Sequence, residues 1–143
     1  MTTRNAHARW EGSLKEGRGD VEFGNGAFKG AYSFASRFEK GAGTNPEELL
    51  GAAHASCFAM ALSLVLGKAG FTPEYVDATA HVTVAPHEGG FKITKSHLAC
   101  EAKVPGIDAA TFVQHAEAAK AGCPVSQALA GTEITLETKL AAK

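Results

Sequence analysis

The chain has 143 residues, 14 Lys+Arg against 15 Asp+Glu, and a formal net charge of −1. That length predicts one domain spanning residues 1–143, long enough to bury a sizeable core. The near-zero charge excludes the basic excess of a nucleic-acid binder and the acidic run of a solvating tail, and 45% hydrophobic against 20% charged residues excludes a disordered chain.

The cysteine count is 3, an odd number, and no CxxC pair occurs. This pattern argues against a disulfide-stapled secreted domain and a zinc ribbon. Residues 1–5 carry no apolar h-region of a secretory signal. The expectation is a reducing, cytoplasmic location, where free thiols persist.

In chain order, Ala6, Ala8 and Trp10 alternate with polar residues, and Val21 and Phe23 do so after a turn-rich stretch. Tyr32, Phe34 and Phe38 suggest a third strand over 31–38, with Arg37 on its opposite face. A long helix follows. Asn45 suits the N-cap, Pro46 the first helical position and Glu48 the capping-box acid, and Gly70 closes the helix. Positions 49, 50, 53, 57, 60, 61 and 64 trace its expected apolar stripe. Apolar residues also lie off that stripe, which predicts a core or interface helix. Residues 49–67 are long enough to span a membrane, but they are weakly apolar, and a helix inside a soluble fold is the expectation.

Val76, Ala78, Ala80, Val82 and Val84 alternate with polar residues and predict a strand that turns at 86–90. On the return strand, Phe91 and Ile93 are out of phase with Leu98, Cys100, Ala102 and Val104, which calls for a bulge near 95–97. Asp108 caps a second helix carrying Phe112, Val113 and Ala116, and Cys123-Pro124 opens a short third one. Ile134, Leu136 and Leu140 form a last strand. The order describes an α+β fold, mostly antiparallel, with a long central helix.

Few residues here can carry chemistry. Cys57, deep in the long helix, reads either as a small buried apolar residue or as a reactive thiol. Cys123 sits at a helix start, where backbone amides and the dipole favour a thiolate, unless the Gly-Cys-Pro sequence is an ordinary turn. Cys100 alternates with packed strand residues and reads as structural. Glu47 is not needed for the capping box, so it is either a solvated first-turn acid or an orienting group. Arg37 is a surface cation unless it faces a thiol, whose anion its planar fork would then stabilise. His54 shares a helix face with Cys57, which allows a Cys–His nucleophile pair, although a satisfied interior histidine is commoner. No metal-ligand spacing, phosphate loop or dinucleotide fingerprint is present.

The residues together resemble a known family. Trp10-Glu11-Gly12, Arg37-Phe38-Glu39, residues 43–49 (GTNPEEL), residues 51–58 (GAAHASCF), Phe71-Thr72-Pro73, residues 104–108 (VPGID) and residues 121–127 (AGCPVSQ) match the OsmC/Ohr family of thiol-dependent hydroperoxide reductases, the OsmC branch more than the Ohr branch. The resemblance spans nearly the whole chain. It implies an OsmC-like fold in an intertwined homodimer with its sites at the subunit interface. It also implies that Cys57 is peroxidatic, that Cys123 is resolving through a Cys57–Cys123 disulfide, and that Arg37 and Glu47 pair beside the reactive thiol. The implied substrate is an organic hydroperoxide, with hydrogen peroxide less favoured. The implied reductant is a dithiol, lipoylated proteins being one candidate. No cofactor or metal, nucleic acid or membrane is expected. Two rival readings remain: a Cys–His thiol hydrolase using Cys57 and His54, and a non-enzymatic dimeric binding module.

Overall fold

The computed structural model describes residues 1–142. It divides into two compact units, Met1–Leu49 and Leu50–Lys143. Both follow from short-range sequence signals.

The first unit carries a three-stranded antiparallel sheet in the order β1 (Ala6–Glu11), β2 (Arg18–Phe23), β3 (Lys29–Tyr32). Trp10, Gly19 and Tyr32 lie side by side across it. A Cβ on Gly19 would stand 2.5 Å from the Tyr32 ring and 2.8 Å from the Trp10 ring, so only glycine lets the two aromatics close over β2. Their centroids are 5.4 Å apart.

The expected third strand over 31–38 is corrected here. Strand β3 stops at Tyr32, and Phe34–Phe38 is a short helix, α1. The reason is local. Ser33 Oγ accepts from the Ser36 amide, and Ser36 Oγ accepts from the Ser33 amide. This reciprocal cap starts a helix. The Ser36 hydroxyl also donates to the Thr44 carbonyl at 2.7 Å, tying α1 to the segment that precedes the long helix.

That helix, α2 (Pro46–Lys68), begins as its sequence predicts. The Glu48 amide donates to Asn45 Oδ1 at 2.7 Å. The Glu48 carboxylate accepts from Asn45 Nδ2 rather than from the backbone, and Asn45 Nδ2 also donates to the Ser36 carbonyl.

The second unit holds most of α2 and a sheet in the order β4 (Tyr75–His87), β5 (Gly90–Lys103), β6 (Glu133–Leu140). Strands β4 and β5 are antiparallel, while β5 and β6 run parallel through a crossover containing α3 (Ala109–Gly122) and α4 (Pro124–Ala128). The β4–β5 hairpin turns at Glu88 and Gly89, both at positive φ, as a two-residue hairpin loop demands. The expected bulge is real but falls just earlier, where Thr83 pairs Lys95 and Val84 pairs Ile93, leaving Thr94 over. This one extra residue turns Ser96, Leu98, Cys100 and Ala102 inward.

Helix α2 lies on this sheet at Gly51, where an added Cβ would meet the Ala80 carbonyl at 3.3 Å. Its buried stripe is Gly51, His54, Phe58, Leu62 and Leu66. This departs from the expected stripe: Met60 and Leu64 are exposed. Phe58, Leu62 and Leu66 join Leu98, Ala102, Phe112 and Ala116 in the core. On α3, Phe112 and Ala116 are buried and Val113 is exposed.

Candidate active site

In the first unit, Arg37 and Glu47 form one construction. Arg37 Nε donates to both Glu47 carboxylate oxygens at 3.1 and 3.2 Å, and Nη2 donates to Oε1 at 2.8 Å. Glu47 is 8% exposed, so the pair is held in a partly dry setting where a two-pronged contact gains directionality. Nη1 has no hydrogen-bond partner among the described residues. Arg37 also lines a cavity of about 200 Å³ with Trp10, Leu14, Tyr32, Ser33, Phe34 and Phe38. The walls are mainly aromatic, and one cation stands among them.

In the second unit, Cys57 and Cys123 stand near enough for each thiol to shift the pKa of the other. Cys57 is half-buried and Cys123 fully buried. Burial pushes the Cys57 thiol up, and the neighbouring Cys123 sulfur pushes it further; only the Val125 amide opposes them. Burial also works against the Cys123 anion, but hydrogen bonds from Cys57, from the Ser126 amide and hydroxyl, and from the Val125 amide outweigh it and bring that thiol below its ordinary value. Cys123 is the N-cap residue of α4, with Pro124 at the first helical position. Its sulfur sits where a helix start offers amide hydrogens to an anion.

Around Cys123 lies a polar chain with no free ends. His54 is wholly buried. Its Nδ1 meets Ser96 Oγ at 2.7 Å and its Nε2 meets Ser126 Oγ at 2.8 Å. Burial holds the ring's pKa below 6.5. Both nitrogens are therefore spent on hydroxyls and neither is left for Cys57: His54 is the satisfied interior histidine that the sequence favoured over a Cys57–His54 pair. Cys100 stands apart, buried on β5, its thiol pushed up to about 11 by burial and by Asp77 and Glu101. That suits its reading as structural.

Of the residues singled out from the sequence, Arg37 joins Glu47, and Cys57 joins Cys123. Ser96 and the aromatic cavity carried no signal that singled them out. Ser126 lies three residues after the N-cap Cys123, the spacing at which a side chain reaches back to a cap, and that offset was the available clue.

Two neighbouring thiols, one of them at a helix start, thus lie on an α+β fold of two sheets. The family model described as OsmC-like protein matches residues 39–139. Peroxiredoxin OsmC of Escherichia coli strain K12 is 54% identical over 138 residues, covering 96% of each chain. The organic hydroperoxide resistance protein of Xanthomonas axonopodis pv. citri is 34% identical over 98 residues, 67% of each. Among solved structures, the organic hydroperoxide resistance protein OhrB of Bacillus subtilis superposes with a TM-score of 0.71 at 25% identity, covering 94% of this chain and 98% of that one. This chain belongs to the OsmC family.

Proposed function

We propose that the protein is a thiol-dependent peroxidase that reduces organic hydroperoxides, with Cys57 as the attacking thiol, Cys123 as the resolving thiol, and Arg37 and Glu47 as the pair that activates Cys57. The observation that carries this reading is the pairing of Cys57 and Cys123, two thiols near enough for each to shift the pKa of the other. The relatives named above, a peroxiredoxin and hydroperoxide resistance proteins, support it.

The thiolate of Cys57 attacks one peroxide oxygen, the O–O bond breaks, and the departing alkoxide takes a proton and leaves as an alcohol. Cys57 becomes a sulfenic acid. Cys123 then condenses with it, giving a Cys57–Cys123 disulfide and water. An external dithiol, for which a lipoylated protein is one candidate, restores both thiols by exchange. All the redox chemistry resides on sulfur, so the cycle requires no cofactor.

A thiol raised by burial holds little anion at neutral pH, so Cys57 needs a cation. The family resemblance assigns that task to Arg37, aimed by Glu47. The aromatic cavity beside Arg37 suits an organic tail, which burial rewards at about 25 cal/mol per Å²; hydrogen peroxide has no tail to bury. The exposed Met60 and Leu64 on α2, 76% and 60% accessible, support the homodimer that the family forms. A reducing cytoplasm suits three free thiols.

The test is to treat the reduced protein with one equivalent of cumene hydroperoxide and map its thiols. The expected product is a 57–123 disulfide with Cys100 free. Acylation of Cys57 by an ester without disulfide formation supports a hydrolase instead, and no reaction at any thiol supports a binding module.

A further inference from the structure

Helix α4 spans only Pro124–Ala128, too short to hold its place by helical propensity. Cys123, just before it, is nevertheless fully buried. On the α3 side its place is fixed by its own amide, which donates to the Ala119 carbonyl at 2.9 Å. Beyond Cys123, Val125 packs against the core, a contact without direction. A directional contact comes one residue later, where Ser126 Oγ meets His54 Nε2 of α2 at 2.8 Å. His54 is held in turn by Ser96 Oγ of β5, 2.7 Å from its Nδ1. An imidazole and two hydroxyls are costly to bury unless paired, and every buried polar side-chain atom among the described residues has a partner. A fully paired chain of this kind rigidifies the elements it joins.

The bond stands at matched places on the two helices. His54 lies three residues before Cys57, and Ser126 lies three residues after Cys123. On α2 that spacing puts His54 and Cys57 on one face, about 4.5 Å apart along the axis. In α4 it is the spacing of an N-cap and the residue whose side chain can reach back to it. A hydrogen bond set one turn from each cysteine fixes both the offset and the roll of α4 against α2. Those two variables decide whether the sulfurs can join, since a disulfide accepts Cα separations of only about 4.4–6.8 Å and a narrow set of torsions.

We propose that His54 and Ser126 are positioning residues for the Cys57–Cys123 pair: their bond locks α4 against α2 with the two sulfurs in the arrangement a disulfide needs. This rests on the reading of Cys57 and Cys123 as partners in one disulfide. In the closing step the Cys123 thiolate supplies the electron pair of the new S–S bond. The Cys57 sulfur releases the group it carries, hydroxide from a sulfenic acid or a thiolate from a mixed disulfide, and that group takes the proton Cys123 gave up. His54 and Ser126 exchange neither proton nor electron. Their contribution is proximity and orientation, which set the effective concentration of one thiol at the other.

That concentration is read without peroxide, by equilibrating the full-length protein with mixtures of oxidised and reduced dithiothreitol. In this exchange the reagent's disulfide takes up the two electrons and two protons that Cys57 and Cys123 release. Peptide mapping verifies the 57–123 link. Ser126→Ala is expected to lower the effective concentration about tenfold or more, a rise in reduction potential of about 30 mV or more. Ser96→Ala strips the same imidazole of the same kind of partner, but on the side away from α4, and is expected to keep the wild-type potential. The triple variant Ser96→Ala/His54→Phe/Ser126→Ala leaves no member of the chain unpaired, so its fold stands. It lacks the bond and is expected to show the rise seen in Ser126→Ala. A wild-type potential in Ser126→Ala or in the triple variant overturns the proposal, and so does an equal rise in Ser96→Ala, which marks a purely structural role. A wild-type protein that forms no 57–123 disulfide with dithiothreitol overturns the pairing and the inference with it. Inertness of the wild type toward cumene hydroperoxide overturns the peroxidase reading alone, because the exchange is measured independently of it.

Discussion

Arg37 on α1 and Glu47 on α2, ten residues apart in sequence, are joined by three hydrogen bonds between 2.8 and 3.2 Å. The contact uses the edge of the guanidinium formed by Nε and Nη2. Lysine, a single point donor on a flexible stem, cannot reproduce it. Arg37→Lys is therefore expected to lower the rate of Cys57 oxidation about tenfold or more despite retaining the charge. Glu47→Gln is expected to lower it less, because the cation stays but is poorly aimed. The measurement is stopped-flow oxidation of Cys57 against pH. An Arg37→Ala protein that still reacts at the wild-type rate near neutral pH would remove Arg37 from the site.

The three cysteines are expected to separate cleanly under substitution. Cys57→Ser loses all peroxide reduction. Cys123→Ser turns over once and stalls as sulfenic or over-oxidised Cys57, visible as a mass increase of the intact protein. Cys100→Ser keeps near-normal activity, since its thiol is buried and raised to about 11. Sustained turnover by Cys123→Ser with a dithiol present would show the internal disulfide to be dispensable.

Much of this fold is legible in the sequence where the signals are local. Asn45-Pro46 marks the start of α2, the alternation from Val76 to Val84 marks β4, and Cys123-Pro124 marks α4. Helix α1 is not legible in the same way. Tyr32, Phe34 and Phe38 mimic the period of a strand, and the Ser33–Ser36 reciprocal cap that decides for helix is too short a signal to compete. The buried face of α2 is hidden for a different reason. His54 looks polar, yet it points inward because Ser96 and Ser126 satisfy it, and both are distant in sequence. Phe58 illustrates the same limit: as a neighbour of Cys57 it invites a role in binding an apolar tail, but it is core. The apolar cavity belongs instead to Trp10, Tyr32, Phe34 and Phe38.

That cavity makes a prediction about substrate choice. Phe34→Ala removes part of the aromatic wall while leaving the Arg37–Glu47 contact in place. At about 25 cal/mol per Å², losing a few tens of Å² of contact with the tail costs about 1 kcal/mol. The expected result is a several-fold lower kcat/KM for cumene hydroperoxide, with hydrogen peroxide unaffected. Equal losses on both substrates would detach the cavity from the organic tail.

Acid should weaken the second unit through His54. Burial holds its pKa below the ordinary 6.5, so the folded form resists a proton that the unfolded chain accepts. Above pH 6.5 both forms are neutral and its full contribution is present. As pH falls below 6.5 the unfolded chain binds the additional proton and stability declines. The urea midpoint is expected to drop between pH 7.5 and pH 5.5, and to drop less in His54→Gln. An identical acid dependence in the variant would assign the loss to other groups.

The unequal exposure of Cys57 and Cys123 would give the proposed disulfide between them a front and a back. Cys123 is sealed at 0% exposure, and Cys57 is only half-buried. In the proposed Cys57–Cys123 disulfide an incoming reductant would reach one sulfur, that of Cys57, and would expel the sulfur whose anion is favoured at the start of α4. Regeneration would then run in one direction, with the transient link to the electron donor made on the long helix while Cys123 withdraws to its seat at the start of α4.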